Sequence, residues 1–285
     1  MTIKIMADSA SDLTTEHYNE YDIEMVPLTV NLDGKEYKDR TEIKPNAIYQ
    51  ALRDGKSPKT SQVSPETFEH VFRSYAEANH PLLYITFSSE LSGTYQTAKM
   101  MEQTVKTDFP DAPIRVIDSK CASLGLGIVV LHAAKLAKEG VSLEEITQAA
   151  EDHAAHIEHI FTVNDLEYLH RGGRIGKTTA FVGSILNIKP LLHVEEGKLI
   201  PIEKIRGSKK LFKRMLDLMD ERNHNLQETT IAICHGDDPE RARELADLVK
   251  ERFHIDEKNI MIEMIGSVIG SHVGPGTIGL FFLNK

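Results

Sequence analysis

The stretch Leu82-Leu83-Tyr84-Ile85-Thr86-Phe87-Ser88-Ser89-Glu90-Leu91-Ser92-Gly93-Thr94-Tyr95-Gln96 decides the fold. Its first six residues make a short apolar run, the pattern of a parallel strand buried on both faces. Hydroxyls and a glycine follow, and then a helical pattern begins. Such a junction exposes hydroxyl groups and bare backbone N–H groups, which together hold anions. No lysine or arginine lies within the stretch. The sequence therefore predicts an anion held by hydrogen bonds rather than by charge pairing.

The same rhythm recurs along the chain. Strands are expected at residues 2–7, 82–87, 114–118 and 231–234, each leading toward a helix, with a helix start at 8–13. Ser64-Pro65 supplies a cap and a first-turn proline, and Phe68, Val71, Phe72 and Tyr75 follow at helical spacing. Ser142 and Glu145 form a capping box, and Asp238-Pro239-Glu240 opens a further helix. Two hairpins interrupt the rhythm. One turns at Asp33-Gly34, and the other runs from Pro190 to Val194 and returns from Leu199 to Ile202. The fold class read from this is α/β with two domains. An N-terminal parallel-sheet domain over 1–157 carries the hydroxyl-rich loops, and a C-terminal mixed α/β domain covers 158–285.

Bulk properties narrow the function. A chain of 285 residues with formal charge −10 is a poor match for nucleic acid or an anionic membrane as main partner, since both select clustered Lys and Arg. The start, MTIKIMADS, has a strand pattern rather than that of a signal peptide, and no apolar run is long enough for a bilayer. A cytoplasmic location is expected, with Cys121 and Cys234 as small core residues. Cys121 also has the option of a helix N-terminus, where its thiol pKa would fall.

Several motifs nearly match a known chemistry. Gly172-Gly173-Arg174-Ile175-Gly176-Lys177-Thr178 resembles a P-loop, but Arg171 stands where the first glycine is required. Gly125-Leu126-Gly127 lacks the third glycine of a dinucleotide fingerprint, and no GxSxG elbow occurs. His153, His156 and His159 recur every third residue, as on a helix. The acidic residues Glu151, Asp152 and Glu158 around them favour a solvated face over a metal site. The glycine-rich run from Gly266 to Gly279 reads equally as a tight crossing beside the last strand, Leu280-Phe281-Phe282-Leu283, or as a loop presenting His272 at a cleft. The methionines, including Met100, Met101, Met261 and Met264, fit core packing better than a pocket lining.

Five segments in order along nearly the whole chain resemble one family. Pro58-Lys59-Thr60-Ser61-Gln62, Ser88-Ser89-Glu90-Leu91-Ser92-Gly93-Thr94, Leu169-His170-Arg171-Gly172-Gly173-Arg174-Ile175, Lys189-Pro190-Leu191-Leu192 and Gly270-Ser271-His272-Val273-Gly274-Pro275-Gly276 look like those of the DegV family, bacterial lipid-binding proteins. Each segment alone is weak; the ordered set is specific. The resemblance implies one long-chain fatty acid held between two α/β domains, with no cofactor and no metal. It also implies that the protein is not itself an enzyme. It would present the acyl carboxylate to a separate fatty acid kinase subunit, and the acyl phosphate would feed phospholipid synthesis. Transient membrane contact is compatible with this. By the matching motifs, Thr60, Ser61, Ser92, Gly93 and His272 would bind the head group, and Arg171, Arg174 and Arg206 would serve partner docking or phosphate handling.

Two alternatives stand beside this reading: a lipid reservoir or sensor without a kinase partner, and a stand-alone small-molecule enzyme. A tail of about fifteen methylenes gains roughly 12 kcal/mol gross on burial, whereas each head-group hydrogen bond adds about 1 to 3 kcal/mol. The tail should therefore set affinity and the head group should set depth and orientation.

Overall fold

The computed structural model describes residues 2–176, 188–223, 226 and 229–284. Lys177 and Thr178, of the P-loop-like motif, lie outside the described residues.

The N-terminal half contains strands β1 (Lys4–Asp8), β2 (Glu24–Val26), β3 (Thr29–Leu32), β4 (Lys35–Lys38), β5 (Lys59–Ser61), β6 (Leu82–Thr86) and β7 (Ile114–Asp118). Its helices are α1 (Thr15–Glu20), α2 (Pro45–Arg53), α3 (Pro65–Glu77), α4 (Thr94–Asp108), α5 (Leu124–Lys138) and α6 (Leu143–Ala155). A four-stranded sheet in the order β2-β1-β6-β7 is parallel throughout. Every residue of β6 is buried, because helices cover both faces of the sheet. Phe68 and Phe72 of α3 stack 5.6 Å apart and meet Tyr84 of β6. A small antiparallel sheet, β4-β3-β5, hangs beside it. Its turn places Asp33 and Gly34 at φ 55° and 81°, both in the left-handed region that a tight two-residue hairpin requires.

The C-terminal half contains β8 (Ile157–Thr162), α7 (Glu167–Arg171), β9 (Ile188–Glu195), β10 (Lys198–Arg206), α8 (Ser208–Arg222), β11 (Ile231–His235), α9 (Pro239–Phe253), β12 (Ile260–Met264), α10 (Ser267–Val273) and β13 (Ile278–Leu283). Six strands order as β10-β9-β8-β13-β11-β12, antiparallel except for β11 with β12. Side chains alternate across this sheet, as strand geometry dictates. Ile160, Ile233, Leu280 and Phe282 pack with residues of α8 and α9. Their neighbours Phe161, Ala232, Cys234 and Phe281 join the core of the N-terminal half instead. The mixed sheet is thus sandwiched, with one face against its own helices and the other against the first half. The molecule is α/β, parallel in its N-terminal region and mixed in its C-terminal region.

Local chemistry explains most boundaries. Ser64 accepts from Thr67 N–H at the start of α3, and the Ser142–Glu145 capping box opens α6. Asp238 caps α9 by accepting from Arg241 N–H.

Four expectations are corrected. Residues 8–13 give only a single 3-10 turn, Ser9–Ser11, and α1 starts later, capped by Thr14. The histidine series is not one helical face: α6 ends at Ala155, His156 closes it, and His159 lies buried in β8, paired opposite Phe281. The β-branched Ile157 and Ile160 and a waiting partner strand overcome the helical spacing. Cys121 gains no acidifying helix terminus; burial pushes its thiol up to about 12. The glycine-rich run forms the helix α10 rather than a loop, yet it both crosses the core tightly and carries His272.

Candidate functional site

A cavity opens where the mixed sheet meets the first half. It encloses about 780 Å³ of space free of atoms, open solvent at its mouth included. Phe161, Phe281, Val194 and Leu199 form its wall on the mixed-sheet side, and Val268, Ile269 and Val273 of α10 form another. Leu28, Phe87 and Leu91 face them from the N-terminal half.

Polar groups gather at one end. Thr60, on the edge strand β5, and His272, on α10, share a hydrogen bond of 2.6 Å between Oγ1 and Nε2. They are 212 positions apart in the chain. Gly172, directly after α7, makes this approach feasible: a methyl group there would fall 2.2 Å from His272 Nδ1. That nitrogen is buried and has no hydrogen-bond partner among the described residues. Burial chiefly, and then the nearby Arg174, lowers the His272 pKa to about 4, so the ring is neutral at physiological pH.

Ser92 sits at the same end, in the turn before α4. Its hydroxyl accepts from Thr94 N–H at 3.2 Å and bonds Thr94 Oγ1 at 2.8 Å. Ser92 therefore stabilises the helix entry while still lining the cavity. Gly93 caps α4 but does not line the cavity; Gln62 covers it, donating to Thr97 Oγ1 at 2.6 Å. Ser61 and Gln62 line the rim and are exposed.

The three arginines are not brought together. Arg174 lines the cavity, donates from Nε to Leu91 O at 3.0 Å and binds Gly172 O through Nη1. Burial lowers its pKa. Arg171, at the end of α7, is exposed and lies over the Tyr168 ring. Arg206, at the end of β10, is exposed on a different edge.

Tertiary structure thus overturns the expectation that no cation lies near residues 85–96. Arg174 reaches Leu91 O, and Lys120 donates to Ser89 Oγ at 2.7 Å. Several cavity residues are not legible as site residues in the sequence, Gln62 and His159 among them. Gln62 belongs to the KTSQ segment but carries no signal of its own. His159 was hidden by the misread helix, and the alternation around Ile160 was the signal available to find it. Met100, Met101, Met261 and Met264 are absent from the lining residues.

Chemically, one end of the cavity offers hydroxyls, a neutral imidazole and a guanidinium, and the remainder is mostly apolar. This is the donor set for an acceptor-only head group on a long apolar body.

The DegV family, described as "Uncharacterised protein, DegV family", matches residues 2–285. The chain belongs to the DegV family. Among curated DegV domain-containing proteins, one from Clostridium perfringens is 40% identical, with 98% of this chain and 96% of that protein covered. A solved DegV-family protein of Thermus thermophilus, described for its fatty acid binding, is 35% identical with a TM-score of 0.89, covering 99% of both chains. A stearic-acid-binding protein of Eubacterium ventriosum is 31% identical with a TM-score of 0.88, covering 99% of this chain and 98% of that one. DegV from Bacillus subtilis, a fatty-acid-binding protein, is 29% identical with a TM-score of 0.86 over the whole of both chains. No helix among the described residues is long and apolar enough to cross a membrane.

Proposed function

We propose that this protein binds one long-chain fatty acid, with the carboxylate among Thr60, Ser61, Ser92, His272 and Arg174 and the tail along the apolar cavity. The observation that carries this reading is the Thr60–His272 hydrogen bond at one end of an otherwise apolar cavity. The fatty-acid-binding relatives support it. Gly93 acts indirectly, by bringing the α4 N-terminus and Gln62 beside the head group. Residues 1–157 and 158–285 serve as the two domains. The end of α6 at Ala155 and the pairing of β8 (Ile157–Thr162) within the second sheet support a division within a residue of that point.

The protein further acts in the cytoplasm as the acyl-carrying subunit of a fatty acid kinase, without being the enzyme. A carboxylate oxygen attacks the γ-phosphorus of ATP held by the separate kinase; the new O–P bond forms, ADP leaves, and the acyl phosphate passes to phospholipid synthesis. The hydroxyl donors of Thr60, Ser61 and Ser92 suit this, because they orient the carboxylate and add no charge to that of Arg174. Arg174 has Nε and Nη1 engaged with backbone carbonyls. Arg171 and Arg206, both exposed, are the docking candidates.

Native mass spectrometry of the purified protein, followed by lipid extraction, tests the binding reading. A one-to-one adduct with the mass of a long-chain fatty acid is expected. A protein that stays unliganded after incubation with assorted fatty acids overturns it. For the kinase role, substituting Arg171 and Arg206 by Ala should lower acyl-phosphate formation while binding survives; unchanged formation would remove those residues from docking.

A further inference from the structure

We infer that His159 is the floor of the acyl cavity and that its ring, held against Gly125, sets the length of chain the protein accepts. This rests on the fatty-acid reading above.

The polar end and His159 lie at opposite ends of one cavity. Thr277 lies four residues past the end of α10 and donates back to Val273 O and Gly274 O, so it stands at the His272 end. From there β13 runs to Phe281, which pairs opposite His159 of β8. Four residues of strand span about 13 Å. Thr277, Phe281 and His159 all line the cavity. A tail entering beside His272 and following β13 therefore meets His159 at the far end.

The ring is built in rigidly. Ala122 N–H donates to Nε2 at 3.2 Å, so Nε2 is the unprotonated nitrogen. Nδ1 then carries the hydrogen and donates to Ile157 O at 3.1 Å. Phe281 meets the ring edge-on, with centroids 5.3 Å apart. On its remaining side the ring packs on Gly125 of α5, where a methyl group would fall 2.2 Å from Nε2. His159 is 3% exposed. Desolvation by burial lowers its pKa to about 4, so the floor is uncharged at neutral pH. Both ring nitrogens are engaged, and Ser123 beside it directs its hydroxyl to Asp12 at 2.5 Å. Such a floor suits an apolar methyl terminus.

Two substitutions should move the floor in opposite directions. His159→Ala removes the ring and deepens the cavity. Gly125→Ala forces the ring away from α5, toward the cavity, and shortens it. Each methylene newly accommodated favours the longer homologue about fourfold.

The test uses the full-length protein, stripped of lipid and offered an equimolar mixture of myristic, palmitic, stearic and arachidic acids, with bound species read by native mass spectrometry. His159→Ala should shift the bound distribution to longer chains and Gly125→Ala to shorter ones, by about fourfold per carbon. An unchanged distribution in both, or a shift of both in one direction, overturns the floor. Should His159→Ala fail to fold because Ala122 N–H is orphaned, Phe281→Leu, which trims the ring's edge contact, should still shift toward longer chains; no shift there overturns the floor equally. A wild-type protein that takes up none of the four acids overturns the binding reading instead, so the two failures are distinct.

Discussion

The two halves of the molecule build the cavity by different means. The N-terminal half contributes loops and strand ends: Thr60 and Ser61 on a short edge strand, and Ser92 between a parallel strand and its helix. Parallel strands buried on both faces have no free face to offer, so their polar groups collect at the carboxyl ends. The C-terminal half contributes a sheet face. Its strands alternate, so Phe161, Cys234 and Phe281 point one way while Ile160, Ile233 and Phe282 point the other. One half therefore supplies most of the head-group hydroxyls, and the other supplies much of the greasy wall together with both cavity histidines.

The comparison breaks most severely at the wall. Phe161→Asp places a carboxylate among apolar residues and should cut fatty acid affinity by a hundredfold or more, a loss of roughly 3 kcal/mol or above. Fluorescent fatty acid displacement reads the affinity, with circular dichroism checking the fold; retained binding would remove this face from the tail site.

Acid should separate the halves next. His159 and His272 of the C-terminal half have folded pKa values lowered to about 4, below the ordinary 6.5. Between these values the unfolded chain binds more protons, so their contribution to stability falls as pH drops from 6.5 to 4. Asp8 and Asp12 of the N-terminal half are raised by burial from 3.8 to about 6. Between those values the folded chain binds more protons, so their cost is full above pH 6 and is relieved as pH drops toward 3.8. Each group is worth about 3 kcal/mol across its window. Asp12→Asn should therefore steepen the loss of stability between pH 6.5 and 4, and His272→Gln should flatten it. Urea melts across that range would expose the idea as wrong if both variants kept the wild-type slope.

Smaller effects are expected at the head group. Thr60→Val removes the hydrogen-bond partner of the half-buried His272 ring and should weaken binding about tenfold. Ser92→Ala should weaken binding only a few-fold, since the tail dominates affinity. On the proposed kinase role it should impair acyl-phosphate formation more than binding, because it loosens carboxylate orientation. Equal losses in a titration and a kinase assay would contradict that division of labour.

The residue sequence carried much of the local structure. Ser64-Pro65, the Ser142–Glu145 box and Asp33-Gly34 act over a few residues, so caps and turns were legible where the chain is short-ranged. The strand-to-hydroxyl-to-helix run at 82–96 was sufficient to indicate a parallel sheet, and the ordered family segments named Thr60, Ser92 and His272 together. Distance in the chain set the limit. The 2.6 Å meeting of Thr60 with His272, the approach of Arg174 to Leu91 and the seating of His159 on Gly125 each join segments that share no local pattern. His159 shows the reason most clearly. Its spacing from His153 and His156 is helical, but the pairing of β8 with β13 overrides that preference and turns its ring inward. Period and composition determine which elements form; only the packing of the two halves decides which polar side chains end up facing one cavity.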